Sequence, residues 1–283
     1  MRIAIASGKG GTGKTTVAVN LAVTIARQGR SVHLCDCDVE EPNAHLFLDP
    51  VFSGSWPVTV PVPAVAQDTC THCGMCAEIC EFNSIACLPS RTMIFPDLCH
   101  SCGGCWLVCP QKAITPEDET IGSISTGKAG ELIFTQGRLI VGKTLVPPLI
   151  EAVKDVPGDE SWIIFDAPPG TTCPVVATMQ GVDFVLLVAE PTPFGRHDLA
   201  LALELTRQLA IPCGVVINRY EGNPGQVEKF CLREGVEILA RIPFRRQIAA
   251  ACAEGGLAVD ADPEVAAAVS GLIDNLRTRA VMA

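Results

Sequence analysis

Aromatic side chains are scarce in this chain: they make up 5% of its 283 residues, with one Tyr and three Trp. Proteins that grip single-stranded nucleic acid stack its bases on such rings, so there is little here to build that channel from. Basic charge is short as well. Lys and Arg number 21 against 31 Asp and Glu, a formal charge of −10, the wrong balance for a polyanion; nucleic acid ranks last among candidate partners. The chain lacks the long apolar run that a membrane span requires. The apolar opening, residues 1–7, runs straight into glycines without the hydrophobic stretch of a secretory signal, so a cytoplasmic protein is expected.

What is present suits a well-buried core. Hydrophobic residues reach 48% and charged residues 18%, which fits one large α/β domain with a small module or two modest domains. Cysteine is the outlier, at 15 residues. Eight of the 15 fall into two compact arrays, the pattern of metal binding in a reducing compartment rather than of secreted disulfides. The others, Cys35, Cys37, Cys87, Cys173, Cys213, Cys231 and Cys252, read mostly as small buried hydrophobes.

Periodicity supplies the frame. Residues 2–7 read as a strand, 8–13 as a glycine loop, 15–28 as a helix ended by Gly29, and 32–36 as a second strand. Short apolar runs at 162–165, 184–189, 214–217 and 236–240 read as further buried strands. Helical patterns occupy 198–209 and 224–233, and 263–279 forms a final helix whose apolar face is expected to pack on the sheet. The alternation predicts an α/β fold: a doubly wound, mostly parallel sheet binding ligands at the carboxyl ends of its strands. Between 66 and 116 this pattern breaks and cysteines dominate, after Pro57, Pro61 and Pro63. The expected organisation is a first part at 1–65, a small inserted α+β module at 66–116, and a second part at 117–283.

Gly8-Lys9-Gly10-Gly11-Thr12-Gly13-Lys14-Thr15 matches G-x-x-x-x-G-K-[ST] between a strand and a helix. Glycines there let successive backbone amides turn towards phosphate oxygens, and the helix N-terminus adds positive potential. Lys14 is placed to bridge the outer phosphates, and the Thr15 hydroxyl to ligate Mg²⁺. Cys70-x2-Cys73-x2-Cys76-x3-Cys80 and Cys99-x2-Cys102-x2-Cys105-x3-Cys109-Pro110 are two complete thiolate arrays. Zinc also accepts four thiolates, but its ribbons seldom carry two such runs.

The loop from Gly8 to Thr16, with its early lysine, resembles the deviant Walker A loop of the family that includes MinD, ParA and the nitrogenase iron protein. The resemblance implies a P-loop ATPase that closes as a dimer on ATP, with Lys9 reaching the partner's phosphates. It also implies a first switch at Cys35-Asp36-Cys37-Asp38, where Asp38, or failing it Asp36, would orient the attacking water. Asp166-Ala167-Pro168-Pro169-Gly170 is similar to the second switch, with Asp166 on a Mg²⁺-bound water and the Gly170 amide sensing the γ-phosphate. Asn218 and the Arg241–Phe244 segment, including Pro243 and Phe244, match the adenine-contacting positions. The cysteine arrays resemble those of bacterial two-cluster ferredoxins. That resemblance implies crossed ligation of two [4Fe–4S] clusters, one by Cys70, Cys73, Cys76 and Cys109, the other by Cys99, Cys102, Cys105 and Cys80. Glu81 departs from it, standing where a proline is usual, while His72 and His100 read as solvated.

Together these features lead to an ATP/ADP- and Mg²⁺-binding ATPase, a homodimer or a heterodimer with a paralogue, with a redox or metal-cluster protein as partner. Its nucleotide state would gate electron transfer or metal-cluster maturation. A spatial or assembly ATPase with a structural or redox-sensing cluster module is the alternative, and a scaffold releasing whole clusters ranks lower. Cys173 reads as a buried or redox-sensitive thiol.

Overall fold

The computed structural model describes residues 1–222 and 225–280; the expected helix start at Pro224 lies outside them. The chain divides into two compact units. One comprises Met1–Ser55, Ile124–Arg138 and Ile150–Ala283, and the other Trp56–Ser123 and Leu139–Leu149.

The strands, in chain order, are β1 (Arg2–Ala6), β2 (Val32–Asp36), β3 (Val51–Val65), β4 (Ile85–Leu88), β5 (Arg91–Ile94), β6 (Ile114–Ala129), β7 (Leu132–Leu139), β8 (Trp162–Asp166), β9 (Phe184–Ala189), β10 (Cys213–Tyr220) and β11 (Ile238–Pro243). Nine of them form one sheet in the order β11-β10-β9-β1-β8-β2-β7-β6-β3. Every pair from β11 to β7 is parallel. The central strands β2, β8 and β9 are buried along their whole length, as parallel strands covered on both faces must be. Helices Lys14–Arg27 and Pro263–Ala280 cover one face, and Cys173–Met179, Pro193–Gln208 and Gln226–Glu234 the other. Val265, Val269, Leu272, Ile273 and Leu276 of the last helix are all buried against that first face.

Several boundaries differ from the periodicity reading. The helix expected from 198 begins at Pro193, because Thr192 caps it: its hydroxyl accepts a hydrogen bond from the Gly195 amide (2.9 Å) and Pro193 fills the first turn. The strand expected at 236–240 is β11, starting at Ile238 and running to Pro243. Residues before it are spent leaving the preceding helix through left-handed Gly235 (φ 66°). The prolines at 57, 61 and 63 sit inside β3 rather than in a connection. They are tolerated because β3 is the edge of the sheet, where a missing amide breaks no ladder. Gly127 of β6 is a close-approach glycine: a Cβ there would stand 2.2 Å from the Val51 carbonyl oxygen.

The second unit is built on an internal repeat. Two short helices, Met75–Glu78 and Gly104–Leu107, follow the matched left-handed pairs His72/Gly74 and Ser101/Gly103, and Asn83 and Lys112 repeat a third such position. β4 and β5 form an antiparallel hairpin. Cys76, Ile85, Cys105 and Ile114, again matched in pairs, pack together as one buried cluster.

Candidate nucleotide and thiolate sites

In the first unit the glycine loop lies between β1 and helix Lys14–Arg27, at the carboxyl end of the strand. Gly13 caps the helix with no side-chain acceptor, and no acidic residue occupies the first turn. The first amides of that helix are therefore left to an anion. The loop requires its glycines: a Cβ on Gly8 would stand 2.1 Å from the Asp198 carbonyl oxygen, and one on Gly13 (φ 91°) 2.2 Å from Asn218 Nδ2. Lys14 is buried; desolvation pulls its pKa down while the Asp166 and Asp38 carboxylates oppose it.

Asp166 and Asp38 both act on that lysine, and Asp36 neighbours Asp166. Asp36 and Asp166 sit in register on β2 and β8, both fully buried. Asp36 accepts hydrogen bonds from the amides of Asp38 (3.1 Å), Asn43 (3.0 Å) and Ala44 (3.0 Å). It thus holds the 38–44 loop, while Asp38 is the less buried acid, with the Glu41 amide beside its carboxylate. Both Asp166 oxygens are buried without a hydrogen-bond partner. Burial and the neighbouring Asp36 push Asp166 well above the usual carboxylate range, against the pull of Thr15 and Lys14. Asp36 and Asp38 are raised as well, chiefly by burial. An acidic group this short of counter-charge, beside a threonine hydroxyl, fits a hard cation such as Mg²⁺.

Lys9 does not hang in solvent. Its Nζ lies 3.5 Å from both Glu190 and Asp198, two residues to which the sequence reading gave no role. Gly170, with φ 95°, donates its amide to the Ser7 carbonyl (3.1 Å). Asn218, Pro243 and Phe244 come together with Gly13, Thr16 and Asn20 around a cavity of about 330 Å³. Asn218 also ties this cavity to the loop, donating to the Thr12 carbonyl at 2.8 Å. Asn20 was missed because its helix position reads as an interior polar residue; its Oδ1 accepts the Val259 amide, and its Nδ2 donates to Thr16. Cys173 begins helix Cys173–Met179 and is exposed, not buried.

In the second unit Cys70, Cys73, Cys76 and Cys109 line one cavity. Cys109 belongs to the other array, so the chain has brought together the set that crossed ligation requires. Cys99, Cys102 and Cys105 hold the matching half-repeat, where the space beside Gly104 is bounded by Ile79 and the Cys102 sulfur. Backbone amides point at three of the sulfurs: Ser84 to Cys80 (3.4 Å), Ser101 to Cys99 (3.4 Å) and Ala113 to Cys109 (3.3 Å). Burial raises the Cys80 thiol, but the Ser84 hydroxyl (3.1 Å) and surrounding amides bring it below the usual thiol range. Such donors stabilise thiolates, the form in which cysteine binds metal. His100 is exposed, as expected, while His72 is half-buried. His100 stacks on Phe82 with ring centroids 3.7 Å apart, and His72 Nδ1 lies 3.6 Å from the Cys70 sulfur.

The model of the CobQ/CobB/MinD/ParA nucleotide binding domain matches residues 3–259. An uncharacterised protein of Methanocaldococcus jannaschii is 31% identical over 280 residues, 98% of this chain and 96% of the relative. An iron-sulfur cluster carrier protein of Pyrococcus horikoshii is 25% identical, covering 86% of this chain and 74% of its own. Among solved structures, the septum site-determining protein MinD of Pyrococcus horikoshii with Mg-ADP superimposes with a TM-score of 0.62 at 21% identity, covering 99% of this chain and 96% of that one. The chain belongs to the CobQ/CobB/MinD/ParA nucleotide-binding family and is a P-loop ATPase of the MinD/ParA type.

Proposed function

We propose that this ATPase couples its Mg-ATP state to iron-sulfur chemistry, either gating electron transfer or driving maturation of a metal-cluster protein. The observation that carries the reading is the meeting of Cys109 with Cys70, Cys73 and Cys76 around one cavity of the second unit. Four thiolates drawn from both arrays suit a cubane, and the repeated array makes a second set from Cys99, Cys102, Cys105 and Cys80. Two [4Fe–4S] clusters in the 66–116 module would supply one-electron redox capacity. Similarity to proteins named as iron-sulfur cluster carriers supports the link to cluster handling.

On the nucleotide side, Lys14 and the loop amides hold the phosphates, and Asn218, Pro243 and Phe244 the base. Thr15 would hold Mg²⁺ and Asp166 a water bound to it, the ion supplying charge neutralisation at the phosphates. Asp38 orients the attacking water, the Asp36 carboxylate being committed to its own loop. Lys9 leaves Glu190 and Asp198 to reach the phosphates of a second subunit, identical or paralogous. The Gly170 amide exchanges the Ser7 carbonyl for the γ-phosphate, which carries the nucleotide state into the second switch.

Anaerobic iron analysis with EPR during ATP titration tests the reading. Two [4Fe–4S] clusters correspond to about eight iron atoms per chain. Spectra or partner capture should depend on ATP in the wild type and lose that dependence in Lys14→Ala with iron unchanged. Absence of iron removes the cluster half, and indifference to nucleotide removes the coupling.

A further inference from the structure

A fifth thiol faces the cavity of the first array. Cys87, on β4, lines it together with Cys70, Cys73, Cys76 and Cys109, although it lies outside both cysteine arrays. The hairpin register sets Cys87 directly opposite Thr92 of β5. The buried Thr92 hydroxyl lies 3.5 Å from the Cys87 sulfur and 3.4 Å from that of Cys70. One hydroxyl therefore joins the two thiols, which are separated by no more than these two contacts. His72 Nδ1 closes the group, 3.3 Å from the same hydroxyl.

The second array has no such thiol. Within the internal repeat Cys76, Cys80 and Ile85 correspond to Cys105, Cys109 and Ile114, so Cys87 corresponds to Pro116, which carries no ligating atom. A core cysteine placed for packing alone would have no reason to face a thiolate cavity on only one side of a duplicated unit.

Resting on the cluster reading above, we infer that Cys87 is a standby ligand of the first cluster, able to take over the iron corner held by Cys70. In the exchange one iron–sulfur bond, to Cys70, breaks and one, to Cys87, forms. The proton leaving the Cys87 sulfur passes across the Thr92 hydroxyl to the Cys70 sulfur, so charge and oxidation state are unchanged. The first cluster is thereby the exchangeable one of the pair. The second is held without an alternative.

The experiment compares anaerobically prepared full-length wild type, Cys70→Ala, Cys87→Ala and Cys70→Ala/Cys87→Ala. Iron and sulfide are measured, with iodoacetamide labelling of the native proteins read by peptide mass spectrometry. Cys70→Ala and Cys87→Ala should each keep the wild-type iron content, while the double variant loses half of it. Cys87 should be alkylated in the wild type and protected in Cys70→Ala. The EPR signal of the second cluster reports that each variant is folded. The labelling comparison needs only the single variant, so it decides the matter even where the double variant fails to fold. Equal iron loss in Cys70→Ala and the double variant, or continued alkylation of Cys87 in Cys70→Ala, overturns the inference. A wild type without iron overturns the cluster reading itself, a separate result.

Discussion

Replacing Asp166 by Asn tests the electrostatics of the nucleotide site directly. The carboxylate is fully buried, faces Asp36 across the β2–β8 pair, and has neither oxygen hydrogen-bonded. Burial and the neighbouring Asp36 raise its pKa in the fold well above the usual carboxylate range, so folding disfavours its charged form. A group raised in this way contributes stability that is complete below its unfolded pKa and is lost as pH rises through the folded value. Every tenfold change in the protonation equilibrium between the folded and unfolded chain corresponds to about 1.4 kcal/mol. A buried polar group without partners costs roughly 1–3 kcal/mol. Asp166→Asn keeps the shape and removes the charge. Nucleotide-free protein should therefore gain about 1–3 kcal/mol and lose much of its decline in stability as pH rises above the ordinary carboxylate range. Urea unfolding at several pH values measures both effects. With Mg-ADP the order should reverse, the wild type gaining a metal-dependent increment that the variant lacks. An unchanged pH slope, or an equal Mg²⁺-dependent increment in the variant, would refute the account of Asp166 as a carboxylate waiting for a cation.

Three further substitutions probe other parts of the structure. Gly13→Ala forces a Cβ to 2.2 Å from Asn218 Nδ2 at a left-handed φ of 91°, so it should cost about 1–3 kcal/mol of stability and abolish nucleotide binding in calorimetry. Lys9→Ala removes two half-exposed ion pairs at 3.5 Å, so the monomer should change by less than about 1 kcal/mol, while ATP-dependent dimerisation measured by light scattering is lost. Ser84→Ala deletes the hydroxyl beside Cys80 (3.1 Å) but keeps the amide donor; the second cluster's midpoint potential, read by EPR redox titration, should fall while the first is unchanged.

Much of the nucleotide site was legible because it is local. A glycine loop after an apolar strand and before an amphipathic helix is written in consecutive residues, and so are the acids at the ends of β2 and β8. Periodicity was weaker at the sheet's edge. β3 carries three prolines, and β6 is rich in Ser, Thr and Gly, so neither reads as a strand until an edge position and a close-packed Gly127 explain the composition. The start of the Pro193–Gln208 helix was readable in principle from Thr192-Pro193, a cap followed by a first-turn proline.

Residue types and their spacing determined, without coordinates, that the chain is an α/β phosphate-loop protein carrying eight thiols in two arrays. Only the tertiary structure decided which groups are spoken for. Asp36 is fully buried and bound to its own loop while Asp38 is half-buried, Lys9 is paired with Glu190 and Asp198, and Cys87 joins a cavity whose other thiols come from both arrays. Spacing conveys what a segment can bind because turns and helices are set by near neighbours. Which partner a side chain meets depends on strand register and on packing between distant segments, and those distances exist only once the chain has folded.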